Sequence, residues 1–285
     1  VQSFELPCAW ISKLIAHCRL RKVDFLSSVF DPDGVHFLVQ HGMKKIKLSS
    51  CSVTNIPLIE HSARYNLPII ISTGGATLGE VEEAVRSIQK YHNRLSLLYC
   101  SIQYPTKLTE CNLGVIQTFK NAFPSLSVGY SDHTKEISKA AVQAVYLGAT
   151  IIEKHITLDK TMAGPDHFFA LEPAQVKKMV VDVRKAENEF RKKTFKIDPV
   201  IYGSSEKLLN SHEAYLRSFA YTRIFAGRPI KKEARIRASD LVILRPGKMK
   251  AGLEPKYLQL FKTHAITAKQ NIAAQESITW DMILG

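Results

Sequence analysis

The sequence predicts an α/β chain: a parallel sheet of repeated strand–helix units, followed by a small, mainly β domain. Three observations carry this. From about residue 23 to 190, short apolar runs alternate with stretches of helical spacing, and repeated βα units mean a parallel sheet. The repeat of roughly 25–30 residues suits a (β/α) barrel, although six units are visible where a closed barrel needs eight. Beyond residue 216 the rhythm is lost, runs shorten and turns become frequent. A doubly wound open sheet is the alternative. No GxGxxG follows any run, which weakens its dinucleotide-binding version.

The elements follow in order. Val23-Asp-Phe-Leu-Ser27 is a first apolar run, closed by Asp31-Pro-Asp-Gly34. Ile46-Lys-Leu48 is a second. Pro68-Ile-Ile-Ile-Ser72 is a third, closed by Gly74-Gly75. Thr77-Leu-Gly-Glu80 has the spacing of a capping box. Val81, Ala84, Val85 and Ile88 then recur at helical intervals. Leu95–Tyr99 is a strand, Leu113–Phe123 a helix and Leu126–Tyr130 a strand. Ile137, Ala141, Ala144 and Val145 mark a helix face that ends at Gly148. Ala149–Ile152 is the sixth strand, and Pro173 opens a helix to about Phe190. The barrel-type domain therefore covers 1–190, a linker 191–216 and the small domain 217–285. Within the last, Pro229–Ile236 and Asn271–Ile278 echo each other, and each is soon followed by an aspartate and apolar residues.

Composition narrows the function. The chain has 285 residues, 45% hydrophobic and 23% charged, an ordinary globular balance. No run of about 18 apolar residues occurs, so no membrane span is expected. The start, Val1–Pro7, lacks the pattern of a signal peptide and an initiator Met, so a fragment is expected. The net charge of +13 suits an enzyme for anionic substrates or a nucleic-acid binder. Scattered basic residues and the lack of a stacking-aromatic motif argue against nucleic acid. Five cysteines without a CxxC spacing read as free thiols in a reducing cytoplasm.

In a βα barrel the site lies at the C-terminal strand ends. Those ends collect Lys47, Ser49 and Ser50; Ser72 and Thr73; Tyr104; Ser131, Asp132 and His133; Glu153, Lys154 and His155. All are expected to face one mouth. A lone strand-end histidine usually hydrogen-bonds a loop. Two at matched ends favour a divalent-metal pair, since neutral imidazoles suit such a metal. Asp166, in a Gly-Pro loop, would bind sugar hydroxyls or simply form a turn. Lys47 would hold a phosphate or carboxylate, or be a solvated lysine beside Lys44 and Lys45.

"YSDHT" at 130–134, "IEKHIT" at 152–157, "GPDH" at 164–167, "YPT" at 104–106 and "VILRPG" at 242–247 together resemble the sialic acid synthase family, near its bacterial spore-coat polysaccharide branch. The resemblance implies a TIM barrel followed by an antifreeze-like (SAF) domain, paired as a domain-swapped homodimer in the cytoplasm. It implies condensation of phosphoenolpyruvate with an N-acetylated hexosamine aldehyde, with phosphate released. On the matching positions it makes His133 and His155 ligands of Mn or Mg, and places Glu153 beside them for proton movements. Lys47, Ser50 and Ser131 would hold phosphoenolpyruvate, and Tyr104 and Asp166 the sugar. Arg245, with Phe219, would reach over the partner's barrel mouth. Two features depart from the family pattern. Its motifs of the first two strands, EIGxNHxG-like and KFQ-like, do not appear, so the sequence is expected to begin just before strand three. Ser52 and Ile102 stand where an acidic and a polar residue are usual.

Overall fold

Six parallel strands form one sheet in chain order: β1 (Ser28–Val29), β2 (Ile46–Leu48), β3 (Ile69–Ser72), β4 (Leu95–Tyr99), β5 (Ser127–Asp132) and β6 (Ile152–Lys154). The computed structural model describes residues 6–284. Val1–Glu5, most of the opening stretch read above for a leader, lie outside them.

Helices alternate with the strands. After α1 (Cys8–Leu20) come α2 (Pro32–Gln40), α3 (Ile56–Ala63), α4 (Leu78–Gln89), α5 (Val115–Ala122), α6 (Lys139–Tyr146) and α7 (Pro173–Lys192). Their starts follow local chemistry. Asp31 accepts from the Gly34 N–H at 2.6 Å with Pro32 at the first turn, and Thr77 and Glu80 form the expected reciprocal capping box. The first three helices were not expected from the sequence.

Strand alternation explains the core. Ile46, Leu48, Ile69, Ile71, Leu97 and Val128 point outward from the sheet and are buried against Val81, Val85, Ile116, Phe119 and Ala144 of the helices. Register puts Lys47 opposite Ile70, Ser72 opposite Leu98 and Ser131 opposite Glu153, all on the other face. That face is concave. β2 and β6 are four strand positions apart, about 19 Å in a flat sheet. Yet Lys47 Nζ of β2 lies 3.3 Å from Glu153 of β6. Only a strongly curled sheet brings them together. Among the described residues β1 and β6 stay unpaired with each other, so six strands make a half-barrel.

The C-terminal part has its own apolar cluster, including Ile224, Ile236, Leu253, Phe261, Ile272 and Ile278. β7 (Arg223–Ala226) pairs antiparallel with β8 (Leu241–Leu244), and β9 (Thr267–Ala268) with β10 (Ile283–Leu284). The sequence echo is structural. Ile230 bridges Ile272, and Glu233 and Gln275, at equivalent positions, share left-handed φ values of 65° and 62°. Residues 191–216 carry more than a linker. α8 (Pro199–Tyr202) bonds the backbone of Leu113 and Gly114, and α9 (Ser211–Ala220) begins there. The Arg217 guanidinium of α9 is paired with Glu80 of α4.

Candidate active site

A cavity of about 410 Å³ opens at the C-terminal ends of the strands. Lys47, Ser50, Tyr104, Ser131, His133, Glu153, His155, Phe219 and Arg245 all line it. Of the residues that the family resemblance assigns to the site, Asp166 alone stands off, at the rim, with a carboxylate oxygen 3.7 Å from His155 Nδ1.

At its floor is a charged cluster. The Lys47 ammonium, 6% exposed, donates to Ser72 Oγ at 2.8 Å and lies 3.3 Å from Glu153 Oε2. Ser131 Oγ donates to Glu153 Oε1 at 2.6 Å. A carboxylate between a lysine and a hydroxyl is oriented by both.

The imidazoles form the next layer. His133 Nδ1 is 2.6 Å from the Ser101 carbonyl, which can only accept, so Nδ1 carries the proton and Nε2 the lone pair. Ser131 Oγ is 3.4 Å from that Nε2 but spends its hydrogen on Glu153, leaving the lone pair without a donor. Burial pushes the His133 pKa down to about 3, against the Ser101 hydrogen bond. Burial also lowers that of His155, against the attraction of Asp166 and Glu153. Both rings are therefore neutral near pH 7. Their centroids are 5.4 Å apart, and Tyr104 stacks on His133 at 4.2 Å and meets His155 edge-on at 5.9 Å.

The expectation that Asp132 and Lys154 share this mouth is overturned by the pleat. β5 and β6 run on through these charged residues, so neighbours alternate faces. Asp132 and Lys154 point to the helix side, where they pair at 2.8 Å with side chains 0% and 2% exposed. Lys154 Nζ also donates to the Thr134 carbonyl at 2.6 Å.

Arg245 also differs from expectation. It sits over the mouth of its own chain, with Nη2 2.9 Å from Cys51 Sγ and its guanidinium 5.0 Å from the Phe30 ring centroid. The reason lies in α8 and α9. They fold residues 191–216 back onto the barrel, and Gly247 N–H then bonds the Phe219 carbonyl.

Other lining residues escaped sequence reasoning. Tyr221 donates to the Gly74 carbonyl at 2.5 Å from the end of α9. Nothing in the sequence marks it. Cys51 and Cys100 line the cavity, and all five cysteines are free thiols. Gly74 and Gly75 admit these neighbours: a Cβ at either would come within 2.7 Å of Ile102.

Residues 1–194 match the NeuB family. Spore coat polysaccharide biosynthesis protein SpsE of Bacillus subtilis is 38% identical over 100% of this chain and 76% of its own length. Its crystal structure superposes with a TM-score of 0.93, covering 99% of this chain and 79% of that one. N,N'-diacetyllegionaminic acid synthase of Legionella pneumophila is 35% identical over 92% of this chain and 69% of its own.

Proposed function

We propose that this chain, which belongs to the NeuB family, is a nonulosonic-acid synthase of polysaccharide biosynthesis. It would join phosphoenolpyruvate to an N-acetylated hexosamine aldehyde to give a nine-carbon 2-keto acid and phosphate. The observation that carries this is the single cavity gathering Lys47, Glu153, Ser131, His133 and His155. A buried ammonium and hydroxyls suit an anionic enol phosphate, with Lys47, Ser50 and Ser131 as its holders. Glu153, anchored by Lys47 and Ser131, would move a proton at the condensing carbons. Tyr104 would pack on the sugar, and Asp166 at the rim would receive its hydroxyls.

The donors fit a divalent cation, Mn or Mg: two neutral imidazoles, one with an unpartnered lone pair. Among the described residues no group of three His, Cys, Asp or Glu side chains could hold a metal alone. Water or the sugar must complete the shell. The ion would polarise the aldehyde as a Lewis acid. Ile102 in the cavity wall and Ser52, buried at 1% exposure beside Ser49, supply no acid to the site. They support an altered acceptor. They also leave a second reading, a non-catalytic sugar-phosphate-binding scaffold. We further propose that the C-terminal part is an antifreeze-like domain and that the protein forms a homodimer, which sedimentation tests.

The deciding experiment supplies phosphoenolpyruvate, N-acetylmannosamine and related aldehydes to chelated protein, then restores Mn. Phosphate release that stops on chelation and returns with the metal is expected. Unchanged turnover without metal would refute the metal assignment. Phosphoenolpyruvate binding without turnover of any acceptor would favour the scaffold.

A further inference from the structure

The peptide joining Ser101 to Ile102 is bonded at both ends. Its carbonyl accepts from His133 Nδ1 at 2.6 Å, and its N–H donates to Glu213 Oε1 at 3.1 Å. Glu213 is in the first turn of α9, 111 residues away, and only 5% exposed. A first-turn glutamate ordinarily reaches back toward its own N-cap. Here Asn210 Oδ1 caps the Glu213 N–H at 2.8 Å, and the Glu213 carboxylate crosses to the loop after β4.

We infer that Glu213 is a positioning residue: its carboxylate polarises the 101–102 peptide, and through it fixes and strengthens His133 as a ligand. The physical argument is that hydrogen bonds in series reinforce one another in a low-dielectric interior. Negative charge at the N–H end makes the carbonyl a stronger acceptor. A stronger acceptor at Nδ1–H makes the opposite Nε2 a better donor of its lone pair. That Nε2 faces the cavity with no donor of its own. α9 is in turn fastened by Arg217 to Glu80, and Tyr221 at its end to Gly74. Docking of this helix is thereby linked to the state of the ligand. The inference deepens the function proposed above and rests on His133 being a ligand there.

A bland role competes. Lys207 is 6% exposed, its ammonium 5.7 Å from the Tyr99 ring centroid, and lines the same small cavity as Glu213. Burial lowers its pKa and the attraction of Glu213 opposes this, so the competing role for Glu213 is to balance a buried cation. Two variants separate the roles. Glu213→Gln keeps an acceptor oxygen for Ile102 and removes the charge. Glu213→Gln with Lys207→Met removes the cation as well. The full chain, labelled with ¹⁵N-histidine, is examined by NMR for the His133 Nδ1–H proton, assigned by its loss in His133→Asn. Mn binding is measured by electron paramagnetic resonance.

In both variants we expect an upfield shift of that proton and Mn affinity about tenfold weaker, the low end for a partner behind a ligand. Lys207→Met alone should leave both in place. An unmoved resonance in the folded double variant would overturn the inference. Absence of Mn binding in the parent would sink the metal reading only, and the resonance would still decide the relay.

Discussion

The two faces of the β5–β6 pair hold similar residues and do different work. On the concave face, Ser131 and Glu153 meet Lys47 at an open cavity, with Glu153 40% exposed. On the convex face, one residue along each strand, Asp132 and Lys154 meet with almost no exposure. Both are lysine–carboxylate pairs. The first can exchange partners with a substrate. The second is sealed by helices, with Thr134 N–H donating to Asp132 at 2.8 Å and the Thr134 carbonyl accepting from Lys154. Charge at a strand end therefore does not identify a site; the face does.

The sharpest way to break this comparison is to neutralise one member of each pair. Glu153→Gln should lower kcat by about 10²–10⁴-fold, the range for losing a positioned proton carrier. Stability should fall by less than in the next variant, since Glu153 is 40% exposed and the Gln amide oxygen can still accept from the buried Lys47 ammonium. Phosphate-release kinetics and urea unfolding on the same sample check both halves. Near-parental turnover would remove Glu153 from the chemistry.

Lys154→Met should do the reverse. It leaves Asp132 charged and buried, at a cost of about 3–5 kcal/mol. Turnover per folded molecule should stay close to the parent's, because nothing in the cavity touches Lys154. A variant that unfolds at the parental urea midpoint would show that the convex pair contributes nothing. One that keeps its stability but loses kcat would reverse the assignment of faces.

Much of this was legible in the sequence. The βα rhythm located strands β2 to β6 to within a few residues, and the paired strand-end histidines pointed to the mouth where both now lie. β1 was placed too early. Val23 and Leu26 look like strand residues but are 61% and 38% exposed, and pairing starts at Ser28. β6 was ended too soon because charged Glu153 and Lys154 read as loop. A curled sheet covered by helices accommodates one inside and one outside. Glu213 and Tyr221 were out of reach for another reason. Their partners, Ile102 and Gly74, are more than a hundred residues distant, and local pattern says nothing of contacts made by a returning helix.

The smallest expected effect sharpens the contrast through pH. His133, on the cavity side, is kept neutral by burial, with its pKa near 3. The unfolded imidazole titrates near about 6.5. Between these values the unfolded chain binds a proton that the native one refuses, so stability rises with pH across this window. It is fully present above about pH 6.5 and falls as the solution is acidified. For this one group the loss from pH 7 to pH 5 is about 2 kcal/mol. His155 adds in the same direction, its pKa also being lowered by burial. His133→Gln removes one titrating ring and should shrink the pH 7 to pH 5 difference in urea-unfolding free energy by about that amount. If the His133→Gln slope matched the parent's, the acid sensitivity would lie elsewhere, and the neutral imidazole at the mouth would lose its thermodynamic support.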